Sequence, residues 1–155
     1  MGRSARLYQA LVQTELATSA GSGVRASLDP NLFSISLTLR EGVAPEQAEA
    51  AVLAELARLA QEPPSPEEMS KALRQSEAQF AYGRDGVTSQ AFALGYFEHL
   101  GDWRQLARHP DRLRAVTPDD VRRAAATYLT EHGRGVGWFI PTAADEVMDT
   151  PEAGG

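Results

Sequence analysis

The segment Phe33-Ser34-Ile35-Ser36-Leu37-Thr38-Leu39-Arg40 alternates apolar and polar side chains at every position. A period of two places the apolar side chains on one face of a β-strand and the polar side chains on the other. Such one-sided strands are typical of antiparallel sheets that pack a core on one face and meet solvent on the other. The segment therefore predicts a strand whose outer face carries Ser34, Ser36, Thr38 and Arg40.

The residues before this strand predict a hairpin partner for it. Residues 24–28 also alternate between apolar and polar side chains, and Asp29-Pro30-Asn31 is a turn sequence that separates the two runs. Further upstream, Gly21-Ser22-Gly23 is interpreted as a flexible break. The spacing of the apolar residues before this break predicts a helix over about 4–17.

Three helix starts share one pattern, in which proline takes the first helical position and acidic side chains follow. Proline lacks the N–H that the first turn leaves unpaired, and acidic side chains interact favourably with the positive end of the helix dipole. The three starts are Ala44-Pro45-Glu46, Ser65-Pro66-Glu67-Glu68 and Thr117-Pro118-Asp119-Asp120. In the second of them, Ser65 and Glu68 have the spacing of a capping box.

The rest of the chain adds two helices and one strand. Helices are predicted over about 88–100 and 102–114, and alternation predicts a last strand over 136–140. This element order predicts an α+β fold, in which an antiparallel sheet has helices packed on one face. We expect a single domain over residues 4–141, followed by a disordered acidic tail over 142–155.

Composition excludes several classes of protein. The chain has 155 residues, a net charge of −6 and no cysteine. The negative charge argues against a nucleic-acid surface, which needs clustered lysine and arginine, and the lack of cysteine excludes disulfides and thiolate metal sites. No stretch approaches the roughly 20 apolar residues that span a bilayer, and the first residues lack a hydrophobic signal core. We therefore expect a cytoplasmic protein that contacts neither nucleic acid nor membrane.

No catalytic residue or metal ligand is predicted within this chain. The spacing of His99, His109 and His132 fits no compact metal motif, and the last two are expected to lie in solvent or near helix ends. Gly95-Tyr96-Phe97-Glu98-His99 has the spacing of the zinc motif His-x-x-Glu-His, but glycine replaces the first histidine. Because that motif needs two histidines one helical turn apart, the match is interpreted as chance.

Several segments, taken in order, resemble the second domain in each half of pitrilysin/insulinase-type zinc peptidases. The resemblance covers about residues 4–141 and depends on order and spacing more than on any one motif. The segments that carry it are Arg6-Leu7-Tyr8-Gln9-Ala10-Leu11-Val12, Asp29-Pro30-Asn31-Leu32-Phe33-Ser34-Ile35-Ser36, Glu67-Glu68-Met69-Ser70-Lys71-Ala72, Leu100-Gly101-Asp102-Trp103, Ala115-Val116-Thr117-Pro118-Asp119-Asp120-Val121 and Gly137-Trp138-Phe139-Ile140-Pro141.

The resemblance implies a LuxS/processing-peptidase-like fold and a place in the wall of a closed peptidase chamber. Family members hold zinc through His-x-x-Glu-His and a distant Glu in a first domain, so zinc is expected in the missing first domain of the parent protein and no cofactor in this chain. The implied substrate is an extended peptide, and Ser34, Ser36, Thr38 and Arg40 are candidates to line the chamber. A plain solvated strand face is the alternative for these four residues.

The implied partners are the remaining domains, or the paired half, of such a peptidase. The stretch 12–19 lacks the Arg and Tyr that grip substrate in the half without zinc, which favours the second domain of the zinc-bearing half. The family domain also opens with a strand and a helix that have no counterpart before residue 6, so the domain is expected to be incomplete at its N-terminus. The sheet edge left open by their absence predicts self-association of the chain.

Two other functions are compatible with the sequence. A structural or partner subunit related to this family, without proteolytic activity, would have the same features. An unrelated α+β dimerisation module would share the composition and the element order, but its strands would be connected differently.

Overall fold

The computed structural model describes residues 5–25 and 27–141. It confirms the α+β class, while the tail predicted over 142–155 lies outside the described residues. The strands are β1 (Ala17–Val24) and β2 (Phe33–Leu39). The helices are α1 (Pro45–Gln61), α2 (Pro66–Tyr82), α3 (Val87–His99), α4 (Arg104–Arg114) and α5 (Pro118–Tyr128). A π-helical turn (Tyr8–Val12) precedes the sheet, and a 3-10 turn (Glu131–Gly133) follows α5.

The two strands form the predicted antiparallel hairpin. Its register pairs Ala17 with Leu39 and Val24 with Phe33, with an irregularity between Ala17 and Ser19. The alternation along β2 has the predicted effect, because its leucines and isoleucine are half-buried while its serines and threonine are exposed. Within the described part of the chain, β1 and β2 pair only with each other, so each strand has one edge without a neighbouring strand.

The strand predicted over 24–28 is wrong, because β1 ends at Val24, where that strand was expected to begin. The interpretation of Gly21 and Gly23 as a break is wrong for the same reason, since both lie inside β1. An added Cβ at either glycine would meet no atom within 4 Å, so neither position has to supply a packed side chain. Pairing with β2 thus forms a strand that local propensity does not favour.

The helix predicted over 4–17 is too long. The π-helical turn ends at Val12, and Glu15 has a φ angle of 64°, in the left-handed region that non-glycine residues seldom adopt. This residue redirects the chain into β1, whose first residue, Ala17, is buried. Pairing along the full length of β2 therefore outweighs the helical spacing of the apolar residues that precede β1.

The core lies between the inner face of the hairpin, the π-helical turn and α1. Its buried residues are Leu7, Leu11, Ala17, Ala48 and Val52. Helix α1 contributes Ala48 and Val52, which are four residues apart and therefore share one helix face. Leu11 is 0% exposed and is the largest fully buried side chain among the described residues. The domain thus depends on a small core with one leucine at its centre.

The predicted helix starts are confirmed at Pro45, Pro66 and Pro118. At the start of α2, the Glu68 N–H donates to Ser65 Oγ at 3.2 Å, and the Ser65 N–H donates to Glu68 Oε2 at 2.8 Å. Thr117 and Asp120 make the same reciprocal pair at the start of α5. Each capping box satisfies two backbone donors that a helix start otherwise leaves unpaired.

Ser65→Ala is expected to lower the free energy of unfolding by about 1 kcal/mol, because the Glu68 N–H loses its acceptor. The matched control is Ser70→Ala, at an exposed position inside the same helix, where the change should stay within about 0.5 kcal/mol. Urea unfolding followed by circular dichroism measures both variants. Equal stability of the two variants would show that the cap contributes nothing.

Residues 83–86 separate α2 from α3, and glycine explains this break. Gly86 has a φ angle of 85° immediately before α3, and Gly101 has a φ angle of 127° just after it. These conformations are readily accessible only to glycine. Helix α4 follows and contains Pro110.

The last strand, predicted over 136–140, is wrong for the described residues. Residues 134–141 form neither helix nor strand, and Val136, Trp138 and Ile140 have exposed side chains. A strand requires the backbone of a neighbour to pair with, and no described strand lies beside this segment. Alternation alone therefore did not suffice to place it in the sheet.

Candidate functional site

The four residues predicted to line a chamber lie on or beside the solvent-exposed outer face of β2. The register pairs Ser34 with Gly23, Ser36 with Gly21, and Thr38 with Ser19 of β1. Directly opposed residues of antiparallel strands share a face, so this surface consists of serine, threonine and glycine only. Arg40 follows the end of the strand and is also exposed. The side chains of this surface are short and polar, and their hydroxyl groups can both donate and accept hydrogen bonds.

An open groove with a volume of about 430 Å³ lies at the end of this face that is next to the loop between β1 and β2. Its lining includes Ser34 and Ser36, whereas Thr38 and Arg40 lie outside it. The other residues that line it are Gly21, Ser22, Gly23, Val24, Arg25, Asn31 and Leu32. The structure thus brings two of the four predicted residues together in one groove.

Asn31 holds the loop between β1 and β2, which borders the groove. Its side-chain Oδ1 accepts from the Leu32 N–H at 2.8 Å, and its Nδ2 donates to the Arg25 carbonyl at 3.4 Å. Arg25 and Asn31 were not among the predicted site residues. The predicted strand over 24–28 included Arg25, and Asn31 was predicted only as part of the turn that follows, so no groove was expected between them.

The side chains of Arg40 and Thr38 make few stabilising contacts. The Arg40 guanidinium lies 3.7 Å from the Glu15 carboxylate, and both side chains are more than half exposed. Such exposed pairs contribute on the order of 0–1 kcal/mol, so Arg40 can exchange Glu15 for another carboxylate at little cost. Thr38 accepts a 3.1 Å hydrogen bond from Thr18 Oγ1 through its backbone carbonyl, which leaves its own hydroxyl facing solvent.

The histidines do not assemble a metal site in the described part of the chain. No group of three or more His, Asp or Glu residues there is placed to hold a metal ion. His109, expected in solvent or near a helix end, instead packs its ring 4.7 Å from the Phe80 ring and 6.0 Å from the Phe97 ring. This aromatic contact joins α4 to α2 and α3. His132 is exposed in the 3-10 turn, as expected.

Crossing a bilayer takes a long helix of high apolar content, and none of the helices within residues 5–25 and 27–141 meets that requirement.

Comparison with protein families gives one match. Residues 1–76 match the family described as peptidase M16 inactive domain. The matched part contains the π-helical turn, the hairpin, α1 and the first 11 of the 17 residues of α2. No curated protein matches the sequence.

Solved structures match over most of the chain. The structure of a "putative zinc protease" from Bordetella pertussis Tohama I is 33% identical, with a TM-score of 0.80 over 91% of this chain and 78% of that chain. The inactive peptidase domain of a "putative zinc protease" from Bordetella parapertussis is 33% identical, with a TM-score of 0.83 over 93% of this chain and 79% of that chain. A protease from Helicobacter pylori is 20% identical and shares the fold, with a TM-score of 0.77 over 84% of this chain and 32% of that chain.

Proposed function

Because this chain belongs to the peptidase M16 family as an inactive domain, we propose that it forms a non-catalytic wall of the chamber of a zinc-dependent endopeptidase that acts on extended peptides. The observation that carries the proposal is the row formed by Ser34, Ser36 and Thr38 on an exposed sheet face without large side chains. A surface of this kind lets a peptide backbone approach closely and exchange hydrogen bonds with hydroxyl groups.

The zinc of such an enzyme lies outside this chain in our proposal. A catalytic zinc site takes three protein ligands, commonly histidine and carboxylate, that converge on one point. The described residues offer no such convergent set, so they do not fit a zinc ion. The chain's own contribution is therefore to confine and orient the peptide rather than to polarise its scissile bond.

Arg40 and Arg25 give the outer face its charge preference. Arg40 follows β2 at the end near Leu39, and Arg25 follows β1 at the hairpin tip. The two cations therefore flank the polar row from opposite ends. Carboxylates of an extended substrate would pair with them while the serine and threonine hydroxyl groups bind its backbone.

The partners we propose are the remaining domains, or the paired half, of the peptidase. The unpaired edges of β1 and β2 support association through strand addition, because an exposed strand edge offers N–H and C=O groups in register. The same edges support self-association of the chain when no such partner is present.

Ser36→Trp tests the lining role in the assembled enzyme. The chain is combined with the remaining domains of the peptidase, including its zinc-bearing first domain, and hydrolysis of a quenched fluorescent peptide is measured. A bulky indole on the outer face should raise KM on the order of tenfold, which corresponds to ~1.4 kcal/mol of binding, while assembly measured by size-exclusion chromatography stays intact. The chain alone should release no fluorescence.

Ser70→Trp is the matched control, because Ser70 is an exposed serine on α2, away from the hairpin. Its KM should equal that of the unchanged protein. If Ser36→Trp assembles normally and also leaves KM unchanged, the outer face does not line the chamber. An assembled complex that hydrolyses no peptide would instead favour a non-proteolytic partner subunit.

A further inference from the structure

Helix α3 has an unusual surface for its position. Its apolar side chains are spread around the whole helix, yet none of its residues is buried. Val87 is 84% exposed and Phe92 is 76% exposed. A helix that is apolar on all sides normally lies inside a protein, so the outer side of α3 is expected to contact another chain.

A groove lies beside α3 and forms a concave part of this exposed surface. It is lined by Ala81, Arg84, Gln90, Leu94 and Leu106, and its volume is about 500 Å³. Leu106 of α4 is buried, whereas Leu94 of α3 remains partly exposed. The groove therefore combines apolar walls from three helices with one cation and one amide.

Arg84 is fixed in this groove, and it has no carboxylate partner among the residues that the structure describes. Its Nε donates to the Phe80 carbonyl at 3.1 Å, and its guanidinium carbon lies 3.8 Å from the centre of the Phe80 ring. The ring of His109 packs on the same phenylalanine and limits its movement. The ion pairs among the described residues involve the arginines at 6, 40, 58, 104, 114, 122 and 123, but not Arg84 or the arginines at 25, 74, 108, 112 and 134. Of the arginines without such a pair, Arg84 is the one whose side chain stacks on an aromatic ring inside a groove.

The one cation that lines the groove, Arg84, favours an acidic ligand. The chain as a whole is negative, but α4 contains four arginines and one aspartate. Arg104, Arg108 and Arg112 are exposed and spaced four residues apart, so they form one stripe along the helix. Leu106 lies on the opposite side of α4 from this stripe, so the positive charge that a carboxylate meets inside the groove is that of Arg84.

We propose that this groove binds a peptide segment of a partner protein in which an acidic residue stands beside branched apolar residues. The carboxylate pairs with the guanidinium of Arg84, and an apolar side chain lies between Leu94 and Leu106. The amide of Gln90 is available to a backbone group of the peptide. Because aromatic stacking already holds the guanidinium, little side-chain entropy is lost on binding. This site lies among the helices and does not depend on the outer face of the hairpin.

The test uses the peptide acetyl-Ala-Leu-Asp-Leu-Ala-amide and a second peptide in which asparagine replaces the aspartate. Each is titrated into the labelled full chain and followed by amide NMR shifts. The aspartate peptide should shift the signals of Arg84, Gln90, Leu94 and Leu106, and the asparagine peptide should bind at least about fivefold more weakly, as expected for loss of a charge-assisted pair.

Arg84→Gln should abolish the preference for aspartate over asparagine while leaving the fold intact. Arg108→Gln is the matched control, because it removes an exposed arginine of α4 that does not line the groove, and it should retain the preference. A preference that persists in Arg84→Gln would overturn the proposal. So would signals that broaden with protein concentration but do not respond to peptide, since a second copy of the chain would then occupy the groove.

Discussion

Leu11→Ala is expected to lower the free energy of unfolding by about 2–5 kcal/mol, the largest effect of any single change that we predict. The side chain is 0% exposed and lies among Leu7, Ala17 and Val52. Replacing it by alanine removes apolar contacts and leaves a cavity that the paired backbone of β1 cannot collapse to fill. Domains of this size have a net stability of about 5–15 kcal/mol, so the variant should unfold at a much lower urea concentration.

Leu32→Ala makes the same chemical change at a position that is 77% exposed, and it serves as the control. Its unfolding free energy should stay within about 0.5 kcal/mol of the unchanged protein. Urea unfolding followed by tryptophan fluorescence and by circular dichroism measures both variants. Similar midpoints for the two variants would mean that the core does not centre on Leu11.

Glu68→Gln is expected to have the second largest effect, because Glu68 joins two separate parts of the fold. Its Oε1 accepts from Arg6 Nε at 2.7 Å, and its Oε2 accepts from Arg6 Nη2 at 3.0 Å. The bidentate pair links the first turn of the chain to the start of α2. Glutamine can still accept from the Ser65 N–H, so the variant removes the charge while retaining part of the cap.

The effect of Glu68→Gln should depend on pH. The hydrogen bonds from the Arg6 guanidinium lower the pKa of Glu68 to about 2 from an ordinary value of 4.5, and the Ser65 N–H assists them. Because the folded pKa is depressed, the pair stabilises the fold above about pH 4.5, and this contribution is lost as the pH falls towards 2. The Glu68 side chain is 37% exposed, so we expect about 1–2 kcal/mol at neutral pH after solvent screening.

Urea unfolding of the unchanged protein and of Glu68→Gln at a series of pH values measures this dependence. The gap between the two should be largest at neutral pH and should close in acid. Glu77→Gln is the control, because Glu77 pairs with Arg114 at 2.7 Å but that arginine is 56% exposed. A gap for Glu68→Gln that stays constant from neutral to acid pH would mean that the charge of Glu68 does not contribute.

The local features of the fold could be read from the sequence because each is decided within a few residues. Proline and acidic residues at Pro45, Pro66 and Pro118 begin helices through backbone geometry and the helix dipole. The alternation over 33–40 defined both faces of β2 and hence the candidate lining residues. The same segments carried the resemblance to the peptidase family, which the comparisons confirm.

Features that depend on distant residues could not be read in this way. The strand over Ala17–Val24 exists because β2 pairs with it, although Gly21 and Gly23 weaken its own propensity. The segment 134–141 keeps the alternation of a strand but has no described neighbour to pair with. Local sequence does not predict either the formation of β1 or the lack of pairing over 134–141, since the hydrogen bonds of a sheet join residues that lie far apart in the chain.

Three helix starts, the solvent-facing side of β2 and the peptidase family of the domain all follow from the amino-acid sequence. The pairing of Arg6 with Glu68 across 62 residues, and the position of Arg84 on Phe80 with no carboxylate beside it in the described part of the chain, depend on how the helices pack. These two groups of features differ in the distance along the chain over which the interactions act. Caps and alternation act between neighbours, whereas ion pairs and grooves arise only when packing brings separate helices together.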